Sequence, residues 1–407
     1  MDLPYKYYYN DTKHFLKRIV SNSSSIQLID SYHVKRNLDY LILDNSLSFI
    51  NDVQKLAKSI AEKSNDKTRI IVVSFNFLWK PFLNLASKIG LRKPDIVEPN
   101  WLTKDDIRNM FYLEGLEEIK NGNRFLFPFD LGIVSDFVNT TLAHLPFLND
   151  FCLTSYQIFR KIPKDKNYSV SIIIPARNEQ GNIKGILKKI PKLSNQIEII
   201  FVEGGSCDET ERAIQKEISG PKPKWLEAFL YKQKGKGKKN AVKIGFEKAK
   251  NDILMILDAD LTVGPDELTK FYMALSDGKA EFANGCRLVY PQETDAMRTL
   301  NYLGNKIFSM LFTFLLGQKV KDTLCGTKAL FRKDYLKIKQ ANLLPGNLDP
   351  FGDFDLLFGA TNQNLKIIDI PVRYMERKYG NTNINRFKNG FELIKMTFLA
   401  ATKLKFI

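Results

Sequence analysis

Three short apolar runs constrain this chain more than anything else in it: SVSIII, IEIIFV and ILMIL, at residues 169–174, 197–202 and 253–257. Each is too short for a helix and too apolar for a loop, so each reads as a strand buried on both faces. Helical patterns at 180–190, 208–218 and 240–250 alternate with them. That alternation predicts an α/β domain with a mostly parallel central sheet and covered faces. Ligands of such sheets sit beyond the carboxyl ends of the strands. The charged residues of this region fall at those ends.

The segment before residue 161 reads as a second, smaller α/β domain. DYLI and residues 69–76 are candidate strands, 50–63 and 103–120 candidate helices, and 154–159 a late strand. No G-x-G-x-x-G or similar glycine-rich turn follows a strand, so the backbone device that cradles a dinucleotide or adenosyl cofactor is not visible. The polar stretch KIPKDKNY marks the boundary. We therefore divide the chain at 1–163, 164–385 and a C-terminal amphipathic segment at 386–407.

Charge narrows the partners. The chain of 407 residues carries 61 Lys and Arg against 45 Asp and Glu, a formal net charge of +16. Such a balance favours polyanions or anionic membrane surfaces. No nucleic-acid-binding module is recognisable, so nucleic acid is not expected. Cys152, Cys207, Cys286 and Cys325 match neither a zinc pattern nor a disulfide framework, and reduced intracellular thiols are expected. The N-terminus has no apolar core of a signal peptide. No apolar run approaches the ~20 residues that span a bilayer.

The chemistry concentrates in a few motifs. ILMILDAD ends a strand in Asp258 and Asp260, two apart and so on one side of an extended chain. Hard carboxylate oxygens suit Mg²⁺ or Mn²⁺, with phosphate oxygens to complete the shell. An ordinary strand-end turn would also place aspartates there. PARNE puts Arg177 and Glu179 just after the first strand, where the arginine fork could reach a pyrophosphate. Glu203 ends the second strand, and the two glycines after it allow close backbone approach to a ligand. Asp208 and Glu211 read equally as a helix start. KQKGKGKKNA supplies Lys232, Lys234, Lys236, Lys238 and Lys239, suited to phosphate. DPFGDFD holds Asp353 and Asp355 between aromatics. Asp355 could equally be a helix-start carboxylate.

Taken in order, PARNE, VEGGSCDET, KGKGKKNAV, LDADLT, KDTLCGTKALFR and FGDFD resemble the family 2 glycosyltransferases of GT-A fold, in particular the dolichol-phosphate mannosyltransferase-like branch. The resemblance covers residues 169–407. It implies inverting transfer of a hexose from a nucleotide-diphosphate sugar, with GDP-mannose and UDP-glucose the leading donors and a polyprenyl or dolichyl phosphate the leading acceptor. A glycolipid or soluble hydroxyl acceptor is the alternative, and a non-catalytic scaffold a further one. Carried over residue by residue, Pro175, Arg177, Asn178 and Glu179 line the nucleoside pocket, with Glu203 and Gly205 beside it. Lys236 and Gly237 lie in the loop over the nucleotide. Asp258 and Asp260, with Ala259 between them, are the metal pair. Asp353 is the candidate base, with Asp355 its neighbour, and Asp322 the acceptor-side aspartate. Gly326 and Lys328 belong to a turn near the diphosphate, and Arg287 and Arg332 are phosphate-facing positions. Arg377, Lys378 and Arg386 would receive a lipid phosphate. One departure is Thr262, where the branch often has Gln, which removes a third side-chain metal ligand.

VSFNFLWKPFLNLASKIGL and PNWLTKDDIRNM are similar to the back half of class I methyltransferase domains. With the cofactor turn missing, a structural or docking role is expected of this first domain.

The layout also predicts where the protein works. Residues 301–317, NYLGNKIFSMLFTFLLG, are apolar but too short to span. Residues 373–407 carry eight Lys or Arg against two Glu. FELIKMTFLAATKLKFI interleaves aromatic and aliphatic residues with lysines, as a helix lying among lipid headgroups does. We expect a cytoplasmic protein held peripherally at the inner face of the cell membrane. Burial of the same surface against the domain's own core, or in a homo-oligomer, would produce the same pattern.

Overall fold

The structure is a computed structural model that describes residues 3–20, 25–90, 99–235, 237–290, 299–344, 349, 352–377, 379 and 386–405, with the backbone alone for helical residues 3–5, 299–303 and 386–390. It divides into two compact units, Met1–Pro163 with Lys405–Ile407, and Lys164–Leu404.

The first unit runs α1 (Leu3–Ile19), β1 (Ile26–Leu28), β2 (Tyr40–Asp44), α2 (Val53–Lys63), β3 (Arg69–Phe75), α3 (Lys80–Lys88), α4 (Lys104–Leu113), β4 (Leu116–Arg124), α5 (Ile133–Thr140) and β5 (Thr154–Lys161). Its sheet has the order β1-β2-β3-β5-β4. β1, β2 and β3 are parallel, and β5 is antiparallel to both its neighbours. The helix expected over 103–120 stops at Leu113. Gly115 takes φ +79°, a left-handed turn that glycine permits, and the next residues form β4 and pair with β5 instead, with a bulge at Ile119. Thr103 and Asp106 cap the start of α4 reciprocally.

α5 is built inside out. Its buried residues are Ser135 and Asn139, while Ile133 is 87% exposed and Val134 and Phe137 are more than half exposed. The Ser135 hydroxyl donates to the Phe129 carbonyl and accepts from the Leu131 amide, and Asn139 bonds both backbone groups of Phe127. α3, nearby in sequence, buries none of its residues and exposes Phe82 and Leu85.

The second unit runs β6 (Val170–Ala176), α6 (Gln180–Ile183), α7 (Ile186–Lys189), β7 (Ile197–Glu203), α8 (Thr210–Ser219), β8 (Leu226–Lys232), α9 (Lys238–Lys248), β9 (Ile253–Ile256), α10 (Leu268–Ser276), β10 (Phe282–Cys286), α11 (Thr299–Leu316), β11 (Lys328–Phe331), α12 (Arg332–Ala341), α13 (Asp353–Asn362), β12 (Ile367–Pro371) and α14 (Arg386–Ala400). The seven-stranded sheet has the order β12-β10-β11-β9-β6-β7-β8. Only β11 runs against its neighbours. The sheet is therefore mostly parallel, with one reversed strand near one side. Ile172, Ile174, Ile199, Phe201, Met255 and Phe271 are fully buried in its core, each contributing about 1.5–3 kcal/mol. α9 lies close on the sheet because Gly245 has no side chain. A Cβ there would stand 2.4 Å from Ile173.

The helix expected over 180–190 is two single turns. Gly185, at φ +78°, breaks it, and Glu217 accepts from the amides of Gly185 and Leu187 in place of helical carbonyls. β8 was not among the expected strands; it is an edge strand paired with β7 and mostly half-buried, so it lacks the fully apolar run of the central strands.

α11 packs against α14. α11 buries Phe312, Leu315 and Leu316, and α14 buries Leu393, Met396 and Ala400. Each also carries an outward apolar stripe: Ile307, Met310 and Leu311 on the first, Phe391, Ile394 and Phe398 on the second. No helix among the described residues is long and apolar enough to cross a membrane.

Candidate functional site

The carboxyl ends of the parallel strands carry a cluster of charges in which Asp258, Asp260, Asp353 and Asp355 each face a cation. β9 runs into a tight turn. The Leu261 amide bonds the Asp258 carbonyl, and Leu261 itself takes φ +54°. This turn presents Asp258 and Asp260. Asp258 Oδ1 is 2.6 Å from Lys238 Nζ, and Asp260 Oδ2 is 2.5 Å from an Arg377 nitrogen. The other Asp260 oxygen accepts from the Thr262 amide and hydroxyl at 3.1 and 2.9 Å. Thr262 thus shapes the turn. Ala259 between the pair is buried.

Arg377 also reaches Glu179 Oε1 at 3.2 Å, so it bridges the ends of β6 and β9. Burial raises the Glu179 pKa. Asn182 and Arg377 oppose the shift, and Asp260 and Asp258 reinforce it. Asn178 holds φ +57° and ties this loop to the next: its amide donates to the Ser206 hydroxyl and its side-chain oxygen accepts from the Cys207 amide. Glu203 accepts from the Ser206 amide at 2.6 Å. Burial alone would raise its pKa, but bonds from Ser206 and Gly205 and the charge of Lys232 bring it below the ordinary value. Arg177 is exposed beside Gly204, and Gly205 at φ +72° completes the turn. Pro175 sits half-buried in β6. Asp208 accepts from the Thr210 amide as a helix-start residue, and Glu211 pairs with Lys232.

The lysine loop divides its work. Gly237 at φ +84° opens α9, and Lys238 and Lys239 occupy its first turn. Lys238 faces Asp258, Asp353 and Asp260; although burial works against its charge, these carboxylates hold its pKa well above the ordinary value. Lys239 reaches Asp355 at 3.4 Å. Lys236 and Lys378 lie outside the described residues, as does the side chain of Arg386. The sequence grouped the lysines together; what distinguishes Lys238 and Lys239 is their place after a helix-opening glycine.

Gly326 comes within reach of the same cluster. A Cβ there would stand 2.1 Å from Lys238 Nζ and 2.3 Å from Asp258 Oδ2, so only glycine lets this turn approach. The fully buried Lys328 is 3.2 Å from Asp353 Oδ1 and donates to the Cys325 carbonyl. It is the counter-ion of Asp353. Asp353 opens α13, which carries Asp355 one residue further along its first turn after Phe354. The sequence missed Asp349, a buried carboxylate that accepts from the amides of Gly352, Phe354 and Asp355 at 2.9–3.0 Å. It caps α13 from outside the helix and so fixes both aspartates. Its signal in DPFGDFD was an aspartate three residues before a glycine.

Two expected positions differ. Arg332 follows the end of β11 that lies away from the Asp258–Asp260 turn. β11 is antiparallel to β9, so Phe331 pairs with Ile253 and the Arg332 amide bonds Asp252 at the opposite end of the strand, roughly 13 Å away along the sheet. Asp322 is fully buried, with both oxygens bonded to Arg287: Nε at 2.7 Å, a terminal nitrogen at 2.8 Å and the backbone amide at 3.0 Å. Its pKa is low because this pair outweighs burial. Asp322 and Arg287 thus engage each other, and the Arg287 guanidinium lies 5.2 Å over the Tyr374 ring.

Residues 171–338 match the family described as Glycosyl transferase family 2. The second unit thus resembles a family 2 glycosyltransferase domain. The match runs from β6 through α12 and so includes the Asp258–Asp260 turn. The domain is similar to UDP-N-acetylglucosamine--dolichyl-phosphate N-acetylglucosaminyltransferase of Methanococcus voltae, 26% identical over 237 residues, covering 55% of this chain and 92% of that one. It is similar also to polyprenol monophosphomannose synthase of Mycolicibacterium smegmatis, 26% identical, covering 51% of this chain and 78% of that one. Among solved structures it is similar to a Mycobacterium tuberculosis glucosyl-3-phosphoglycerate synthase bound to Mn²⁺, UDP-glucose and phosphoglyceric acid, at 17% identity and TM-score 0.43, over 58% of this chain and 80% of that one. The second unit is α/β with a mixed sheet, and the protein is a glycosyltransferase.

Proposed function

We propose that the domain transfers a hexose, with inversion, from a nucleotide-diphosphate sugar to a polyprenyl or dolichyl phosphate at a membrane surface. The observation that carries this reading is the Asp258–Asp260 turn at the strand ends, flanked by Lys238, Arg377 and the close-approaching Gly326. The relatives above are named for dolichyl-phosphate and polyprenol acceptors, which supports the acceptor class.

The donor set fits a divalent cation. Two carboxylates on one turn suit Mg²⁺ or Mn²⁺, which commonly take one or two carboxylates and complete their shell with substrate phosphates and water. Among the described residues no group of three or more ligating side chains could hold such an ion alone, so the donor's diphosphate would share in holding it. When bound, the ion would supply positive charge at the leaving diphosphate. The acceptor oxygen attacks the anomeric carbon while the bond to the diphosphate oxygen breaks on the opposite face. A phosphate acceptor is already anionic, so Asp353 then positions rather than deprotonates. For a hydroxyl acceptor the same carboxylate, held by Lys328, would take the proton. Glu179, Glu203 and the Asn178 turn would frame the nucleoside.

The outward stripes of α11 and α14 support peripheral membrane binding. Exposed Lys306 and Lys395 stand beside them, as in helices that lie in the headgroup plane. For the first unit we propose a structural or docking role. S-adenosylmethionine should not bind it more tightly than about 100 μM, or roughly −5.5 kcal/mol, by calorimetric titration.

The deciding experiment offers the purified chain GDP-mannose, UDP-glucose and UDP-N-acetylglucosamine, each with Mn²⁺ or Mg²⁺ and a polyprenyl phosphate, and identifies products by mass. A glycosylated polyprenyl phosphate from one donor is expected. Transfer only to a soluble hydroxyl would replace this acceptor.

A further inference from the structure

The first unit carries an apolar surface that its own fold holds outward. Beneath it lies a small core of Tyr8, Phe125 and Leu153, with Tyr7, Trp79 and Leu83 packed against it. α3 and its flanking residues turn Trp79 and Leu83 toward that core and expose Phe82, Leu85 and Ile89, which are three or four residues apart and so share one face. α5 meets the same core through Tyr7, whose hydroxyl donates to Asp136 and accepts from Asn139, and it exposes Ile133, Val134 and Phe137. The single turn at Leu148–Phe151 is tied to the start of α3. The Trp79 indole donates to the Phe151 carbonyl at 2.8 Å, and Asn76 donates to the carbonyls of Asp150 and Cys152. The pieces share one floor and form one surface.

Its apolar residues are fixed outward by bonds on the inner side. Ser135 and Asn139 hold the backbone of residues 127–131 from the buried face of α5, which leaves its apolar residues no inward place. Phe147 sits at the centre of a γ-turn, with φ +68°, ψ −50° and the Leu148 amide bonded to the Pro146 carbonyl at 2.9 Å. That conformation is strained for a phenylalanine, and it holds the side chain 84% exposed.

Size and charge indicate what covers this surface. The exposed parts of Phe147, Phe151 and the six residues of α3 and α5 amount to roughly 900 Å². That exceeds the ~300–600 Å² of the largest patch on an ordinary monomer and matches the ~800 Å² that each partner gives to a stable interface. Residues 76–90 carry Lys80 and Lys88 and no acidic residue. Residues 125–152 carry Asp130, Asp136 and Asp150 and no Lys or Arg. An anionic lipid surface would attract the first edge and repel the second. A two-fold axis instead sets the basic edge of each copy against the acidic edge of the other.

Resting on the docking role assigned to the first unit, we propose that this surface pairs two copies of the chain about a two-fold axis. Pairing brings two transferase domains into one particle.

The test is sedimentation velocity of the full chain over a range of concentrations, with a dimer expected in the micromolar range. Ile133→Ser combined with Phe147→Ser should weaken pairing at least about tenfold without lowering the melting temperature, because both side chains are exposed. Ile394→Ser combined with Phe398→Ser, on α14, should leave the dimer intact. Lys80→Glu with Lys88→Glu should weaken pairing, and adding Asp130→Lys and Asp150→Lys should restore it, because the exchanged edges match again. A chain that is monomeric at every concentration overturns the proposal. If Ile133→Ser with Phe147→Ser then lowers liposome sedimentation, the surface meets lipid instead. A dimer dissociated by the α14 pair and not by the first-unit pair overturns it as well. The S-adenosylmethionine titration tests the docking role separately, so failure of that role is told apart from failure of the dimer.

Discussion

Asp260 has both carboxylate oxygens engaged within the site. It receives Arg377 on one oxygen and Thr262 on the other, and it stands at the end of the strand that anchors the sheet. Asp260→Asn should lower transfer at least about 100-fold, a loss of roughly 2.7 kcal/mol of transition-state stabilisation. Full activity in EDTA would contradict the role assigned to it. Asp322 makes a different kind of prediction. Its folded pKa lies below the ordinary 3.8, so the Arg287 pair stabilises the fold fully above that value. The contribution is lost as pH falls through the lower folded pKa. Asp322→Asn leaves Arg287 buried without its anion and should cost about 3–5 kcal/mol at neutral pH. The variant should also show a shallower loss of stability as the pH falls below 3.8, measured by denaturant titration at successive pH values. An unchanged acid limb would remove Asp322 from this account.

At the scale of elements, α13 shows how a cap can serve chemistry. Its formal cap position is Gly352, which has no side chain, and Asp349 supplies the missing acceptors. Asp349→Ala should cost about 1 kcal/mol of stability, as loss of a helix cap does. Because Asp353 and Asp355 ride on that first turn, kcat should fall several-fold while donor affinity changes little. Asp349→Asn should recover part of the loss. A drop in donor affinity with kcat intact would mean that α13 serves the nucleotide side. Strand direction matters as much as capping. One reversed strand, β11, sends Lys328 into the site and Arg332 away from it, though only four positions separate them.

For the whole molecule, the question is which surface meets the acceptor. Among the described residues α11 and α14 each bury one apolar stripe and expose another, so coverage of the domain's own core leaves apolar surface on both. The full chain should sediment with anionic liposomes at low salt, and high salt should weaken the binding by screening its lysines. Ile394→Ser combined with Phe398→Ser alters only exposed positions and should reduce sedimentation without lowering the melting temperature. Sedimentation unchanged by that pair would move the membrane contact elsewhere. The inside-out α5 offers a second apolar surface, in the first unit.

The sequence determined the elements whose character is local. Three apolar runs ending in charge set the parallel strands, and the DAD turn could be read because a two-residue spacing in extended chain fixes which way both side chains point. What it left undecided were properties of pairing between distant segments. The antiparallel choice of β11 reversed Arg332. The glycine breaks at Gly115 and Gly185 replaced helix with strand in one case and with two single turns in the other. Arg377 reached Asp260 across 117 residues, and Lys328 found Asp353 inside the core. A chain's local pattern states which residues are charged or apolar; which opposite charge each one meets depends on strand order and direction, and only the assembled sheet fixes those.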